Sequence, residues 1–133
     1  MKAEIKLLVV FALLIVSGTK SIAQEISWVA PEYSSSLKNP FAGNQNAIKE
    51  GGVIFNEMCV LCHGVKGQGN GEAGVNMQPR PANLLALNVK NQSDGAIFWK
   101  ITHGNASMAT YFGILTDDQR WKLVNYIREL EKK

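Results

Sequence analysis

Cys59-Val60-Leu61-Cys62-His63 constrains this chain more than any other feature, because it uses both cysteines and one of only two histidines in 133 residues. On a helix, residues three and four apart share a face, so Cys59 and Cys62 project together and His63 lies one turn beyond Cys59. Four chemistries use thiols in this way. A thioredoxin-type redox pair needs a βαβ scaffold, and no segment here alternates as a strand would. Zinc needs four ligands, and the one further donor of the same kind is His103. A disulfide across two intervening residues is strained. The fourth chemistry is c-type haem attachment, for which C-x-x-C-H is the signature. Two thiols form thioethers with the two vinyl edges of one porphyrin, and the imidazole sits beneath the iron.

The chain around this motif reads as one small helical domain behind an export signal. Lys2 and Lys6 outweigh Glu4, Leu7 to Val16 is an unbroken apolar run, and Ser21-Ile22-Ala23 supplies a small-x-small cleavage pattern. Ten apolar residues suit a signal core and fall short of the roughly 20 needed to span a bilayer. Residues 1–23 are therefore expected to be a signal peptide, the product periplasmic, and the mature chain not inserted in a membrane. Cleavage removes three lysines and one glutamate from 14 basic and 11 acidic residues, leaving a net charge of +1. Such a balance gives no basic face for nucleic acid and little long-range steering.

Residues 24–45, with Pro31, three consecutive serines, Pro40 and Gly43, read as an extended arm that Trp28, Tyr33 and Phe41 dock on the domain at 46–133. The pattern predicts a first helix from Ala47 to Cys62 capped by Asn46, with Ile48, Gly52, Phe55, Cys59 and Cys62 on one face. Five glycines between Gly64 and Gly74 then deny regular structure, and Pro79-Arg80-Pro81 stiffens the exit. A short helix over Pro81–Leu87 is expected next. Another starts near Ser93 or Asp94, carries Ile97, Phe98 and Ile101 inward, and stops at Gly104. Thr116-Asp117-Asp118-Gln119 is a capping box that opens a last helix striped by Trp121, Leu123, Val124, Tyr126, Ile127 and Leu130. The fold class is all-α, and its side chains make a small core for the length of the chain.

These residues resemble the class I monohaem cytochromes c over about Ile48 to Leu130. The matching positions are Gly51 and Phe55, the Cys59–His63 motif, Gly64 and the glycine loop, Pro81 with Leu84, Ile101-x-x-Gly104, Met108, Leu115 and the helix carrying Tyr126. The resemblance implies an all-α fold wrapped around one covalent haem c, with the first and last helices crossing where Gly51 and Phe55 meet Tyr126. A proline carbonyl, Pro81 or Pro79, is expected to orient His63. For the other face of the iron the residues alone leave Met77, Met108 and His103 open; the family places its ligand where Met108 stands. Ala109 follows Met108 where the family commonly has proline, which leaves that loop freer. His/Met ligation fills the iron and raises its potential, as suits an electron carrier rather than an enzyme.

Trp99 is a candidate partner for a haem propionate or a core residue. Lys66, Arg80, Lys90 and Lys100 either rim the haem crevice or are solvated surface. The literal G-x-G-x-x-G at Gly69–Gly74 lacks the strand and helix that give it meaning, and the sequons at Asn91 and Asn105 read as coincidence. The partners implied are redox proteins that a monomer meets through a small, quickly released interface. Two alternatives are a dedicated subunit of one oxidoreductase complex, held through the arm, and a haem enzyme or gas sensor with a labile sixth ligand.

Overall fold

The computed structural model describes residues 28–132; the expected signal at 1–23 and the start of the arm lie outside them. Among the described residues five α-helices carry the fold: α1 (Gln45–Met58), α2 (Val60–His63), α3 (Leu87–Lys90), α4 (Asp94–His103) and α5 (Asp117–Leu130). Among the described residues there is no strand, only an isolated bridge between Phe112 and Leu115. No helix among them is long and apolar enough to cross a membrane.

α1 begins two residues earlier than the pattern predicts, because Asn44 and not Asn46 is the cap. The Asn44 side chain accepts from the N–H groups of Asn46 and Ala47 at 2.9 and 3.0 Å. α1 and α5 form the most extensive helix pair. They approach so closely at Gly51 that a Cβ there would stand 2.0 Å from the Lys122 carbonyl oxygen. One turn on, the Phe55 and Tyr126 rings meet at 5.2 Å between centroids. The crossing implied by the family resemblance is thus present, and Phe55 is wholly buried in it.

The expected single helix through Cys62 is divided. Cys59 leaves helical geometry at φ −120° and ψ −31°, and α2 restarts as one turn whose Cys62 and His63 N–H groups both return to the Cys59 carbonyl. The short helix predicted over Pro81–Leu87 is also displaced, to α3. Asn83 accepts from the Leu85 N–H with its side chain at 2.9 Å, a local turn that competes with helix. The Leu84 N–H meanwhile crosses to the Gly67 carbonyl at 2.7 Å.

α4 and α5 start and stop as the sequence indicates. Ser93 caps α4 through the Ala96 N–H and Gly104 ends it; Thr116 and Gln119 form the reciprocal box of α5. Phe98 is only half-buried, stacked on Trp121 at 4.0 Å. Residues 28–44 are less extended than expected: Glu32–Ser36 form a 3₁₀ turn in which Ser34, Ser35 and Ser36 each donate to the carbonyl three residues back. Ser34 is buried against Gly95 of α4. Asn39 donates to Asp94 and Asn125, and Asn125 donates back to the Phe41 carbonyl. The arm is packed into the domain.

Candidate functional site

The helices line a partly open cavity of about 310 Å³. Its apolar walls come from Phe55 of α1, Ile97 and Ile101 of α4, and Leu123 and Ile127 of α5, the same residues that form the core. Cys59 and His63 stand on its wall, and so do Met108 and Tyr111 from the loop after α4. Asn88, Gln92 and Lys100 supply a polar end, with Trp28 of the arm beside Lys100. An interior packed like an organic crystal does not leave such a space among its own side chains; this one is shaped for a large apolar guest.

His63 is oriented through its Nδ1, which lies 3.0 Å from the Ala82 carbonyl oxygen. A carbonyl can only accept, so Nδ1 carries the proton and Nε2 keeps its lone pair. Burial pushes the imidazole below its usual pKa, against the opposing effect of the Ala82 carbonyl, and favours this neutral ligand form. The expectation for Pro81 is corrected here. Its carbonyl oxygen is turned onto Gly69, where a Cβ would come within 2.3 Å of it, so the next carbonyl along reaches the ring.

Burial, and secondarily the neighbouring Cys62, push the Cys59 thiol up to about 12. A redox-active C-x-x-C of the thioredoxin type needs a βαβ scaffold, and among the described residues there is no strand to supply one. Among the described residues no group of three or more His, Cys, Asp or Glu side chains is arranged to hold a metal ion. Burial, and then the two thiols, raise Tyr111 above the ordinary phenol range, so it remains an O–H donor.

The other sequence candidates separate cleanly. Met108 lines the cavity; Met77 and His103 do not. The His103 ring stacks on Trp99 at 4.4 Å, and its Nδ1 faces the Trp99 carbonyl at 2.9 Å. The Trp99 expectation is likewise corrected: its indole N–H donates to the Tyr33 hydroxyl at 3.0 Å, and the residue is not on the cavity wall. Lys100, its neighbour, is. The Lys100 ammonium donates to Gln92 at 2.6 Å, burial pushes its pKa down, and it lies 5.2 Å over the Trp28 ring. Trp28, Asn88, Gln92 and Tyr111 carried no spacing signal that would have marked them as wall residues. An imidazole, a thioether, two adjacent thiols, apolar walls and one cationic end form a donor set that fits an iron porphyrin with its carboxylates.

The family model described as cytochrome C oxidase, cbb3-type, subunit III, a c-type cytochrome domain, matches residues 46–127. The chain belongs to this family. It accordingly carries a covalently bound c-type haem, and the domain is of the electron-carrying kind. In structure it is similar to a chain of the Kuenenia stuttgartiensis reducing HAO-like protein complex, with a TM-score of 0.61 and 25% sequence identity over 71% of this chain. The likeness covers 49% of that neighbour, so this chain spans about half its length. No curated protein matches the sequence.

Proposed function

We propose that this chain is a single-electron carrier, exported to the periplasm by residues 1–23, with residues 24–45 as an arm and 46–133 as the haem domain. Cys59 and Cys62 hold the haem by thioether bonds, His63 and Met108 are its axial ligands, and the Ala82 carbonyl fixes the imidazole. Lys100, with Gln92 and Asn88, faces the haem carboxylates. The haem supplies one-electron oxidation and reduction; the chain supplies an apolar-walled cavity and two ligands that leave no open position on the iron for substrate. The observation that carries this reading is the convergence of His63 and Met108, and not Met77 or His103, on one apolar cavity.

Absorption spectra of the oxidised and reduced protein test it. A low-spin spectrum with a weak far-red methionine–iron band is expected. Met108→Ala should abolish the band and open the reduced iron to carbon monoxide, while Met77→Ala should leave both properties unchanged. Loss of the band in Met77→Ala instead would transfer the ligand role.

A second reading, a fixed subunit of one oxidoreductase complex, is supported by the structural neighbour, which is itself a chain of a complex. In that case the arm still offers an interface: Ser34, Asn39 and Phe41 pack it against α4 and α5, while Val29, Tyr33 and Leu37 stay exposed on its outer side. The native mass of the secreted protein decides between a shuttle and a subunit.

A further inference from the structure

Residues 105–115 carry Met108 between α4 and α5 without regular structure, and a loop of that kind is mobile unless it is tied. Here the ties are many. The Asn105 side chain accepts from the N–H groups of Ser107 and Met108, both at 2.8 Å, and the Met108 carbonyl accepts from Asn105 N–H at 2.8 Å. The Thr110 hydroxyl donates to the Thr102 carbonyl at 2.7 Å, and the Tyr111 and Phe112 N–H groups reach the Ile101 and Thr102 carbonyls. The buried Arg120 guanidinium donates to the Tyr111 and Leu115 carbonyls at 3.2 and 2.8 Å. All of these hold the loop to itself, to α4 or to α5.

One bond goes the other way. The Tyr111 hydroxyl donates to the Met58 carbonyl at 2.8 Å, one residue before Cys59. Among the described residues it is the single hydrogen bond that joins the Met108 loop to the segment bearing Cys59 and His63. Tyr111 also lines the cavity, so the bond closes across one edge of it.

We infer that Tyr111 is a positioning residue that sets the separation of the two ligand-bearing segments and thereby holds Met108 in place. The inference rests on Met108 being the sixth ligand. A thioether is a weak donor, and its hold on iron against an added ligand depends on how little freedom its loop has; the Tyr111 latch takes the place of the proline that Ala109 replaces.

The test uses the haem-loaded protein and imidazole as the competing ligand. Tyr111→Phe keeps the ring and removes the hydroxyl. It should raise the imidazole affinity of the oxidised protein about 3- to 10-fold, the equivalent of one net hydrogen bond, and move the loss of the far-red band to lower pH. Thr110→Val removes a tie of the same loop to α4 and should change the imidazole affinity less than twofold. Equal imidazole affinity in Tyr111→Phe and the parent overturns the latch, as does an equal rise in Thr110→Val, which would mark a generic loosening of the loop. A parent protein without the far-red band, or a Met108→Ala variant that keeps it, defeats the ligand assignment, a result distinct from failure of the latch alone.

Discussion

The two sides of the cavity are held by different means. On the histidine side the ties are main chain to main chain: Gly69 N–H to the His63 carbonyl at 2.8 Å, Gly71 N–H to Cys62, Ala73 N–H to Leu61, and Leu84 N–H to Gly67. His63 itself ends on the Ala82 carbonyl. On the methionine side, side chains carry much of the hold: Asn105, Thr110, Tyr111 and Arg120 together. A backbone cradle needs glycines wherever strands of chain touch, and those leave a visible run in the sequence. A cradle of side chains leaves scattered residues with no shared spacing.

Removing the haem should erase the comparison altogether, and with the largest effect. The core side chains that line this space lose their packing partner with the haem, and the stability of a small domain is too marginal to absorb a loss on that scale. A double Cys59→Ser, Cys62→Ser variant that secretes without covalent haem should therefore lack cooperative thermal unfolding by circular dichroism. A sharp transition close to that of the parent would show that the helices hold themselves up without the porphyrin.

Next in size is a pair of substitutions, one on each side. Gly69→Ala puts a methyl 2.3 Å from the Pro81 carbonyl at φ +74°, forcing the Pro81–Ala82 segment away from His63; overpacking of this kind costs about 1–3 kcal/mol. Asn105→Ala removes an acceptor from two N–H groups at an exposed turn, worth about 1 kcal/mol. The first should lower thermal stability more and disturb the imidazole; the second should lower it less and move the far-red band to a lower pH of disappearance. Haem proton shifts in nuclear magnetic resonance separate the two. If Asn105→Ala disturbs the histidine side as strongly, the two cradles are not independent.

Much of the fold was legible because it rests on local signals. Thr116-x-x-Gln119 is a complete cap in itself, and Ser93 and Gly104 bracket α4; the close helix crossing at Gly51 and Phe55 was instead implied by the family resemblance. Where the reading slipped, a tertiary contact had overridden local pattern. Nothing in Cys59 predicts its non-helical dihedrals, and the Asn83 turn competes with a helix that propensity alone favours over 81–87. At the site, the motif residues were readable because covalent attachment fixes their spacing. Which carbonyl meets His63 was not, since every residue has one and only packing at Gly69 chooses between Pro81 and Ala82. Of the two polar-tipped candidates on α4, Trp99 as propionate partner and Lys100 as rim, it is Lys100, one residue further on, that joins Ile97 and Ile101 on the cavity wall.

That one-residue difference makes the smallest predicted effect and the finest test of which end of the cavity takes the carboxylates. Lys100 brings a cation to the wall of an apolar space, partnered by the neutral Gln92 side chain. A positive charge there favours the electron-rich state. Two unit charges about 10 Å apart at an effective dielectric of 20 interact by about 1.7 kcal/mol, so Lys100→Met, which keeps the apolar stem, should lower the reduction potential by tens of millivolts. Trp99→Phe removes an indole N–H already given to the Tyr33 hydroxyl outside the cavity and should leave the potential where it was, loosening only the arm. The reverse pattern, a potential that follows Trp99 and ignores Lys100, would turn the haem end for end in the site and return the carboxylates to the tryptophan.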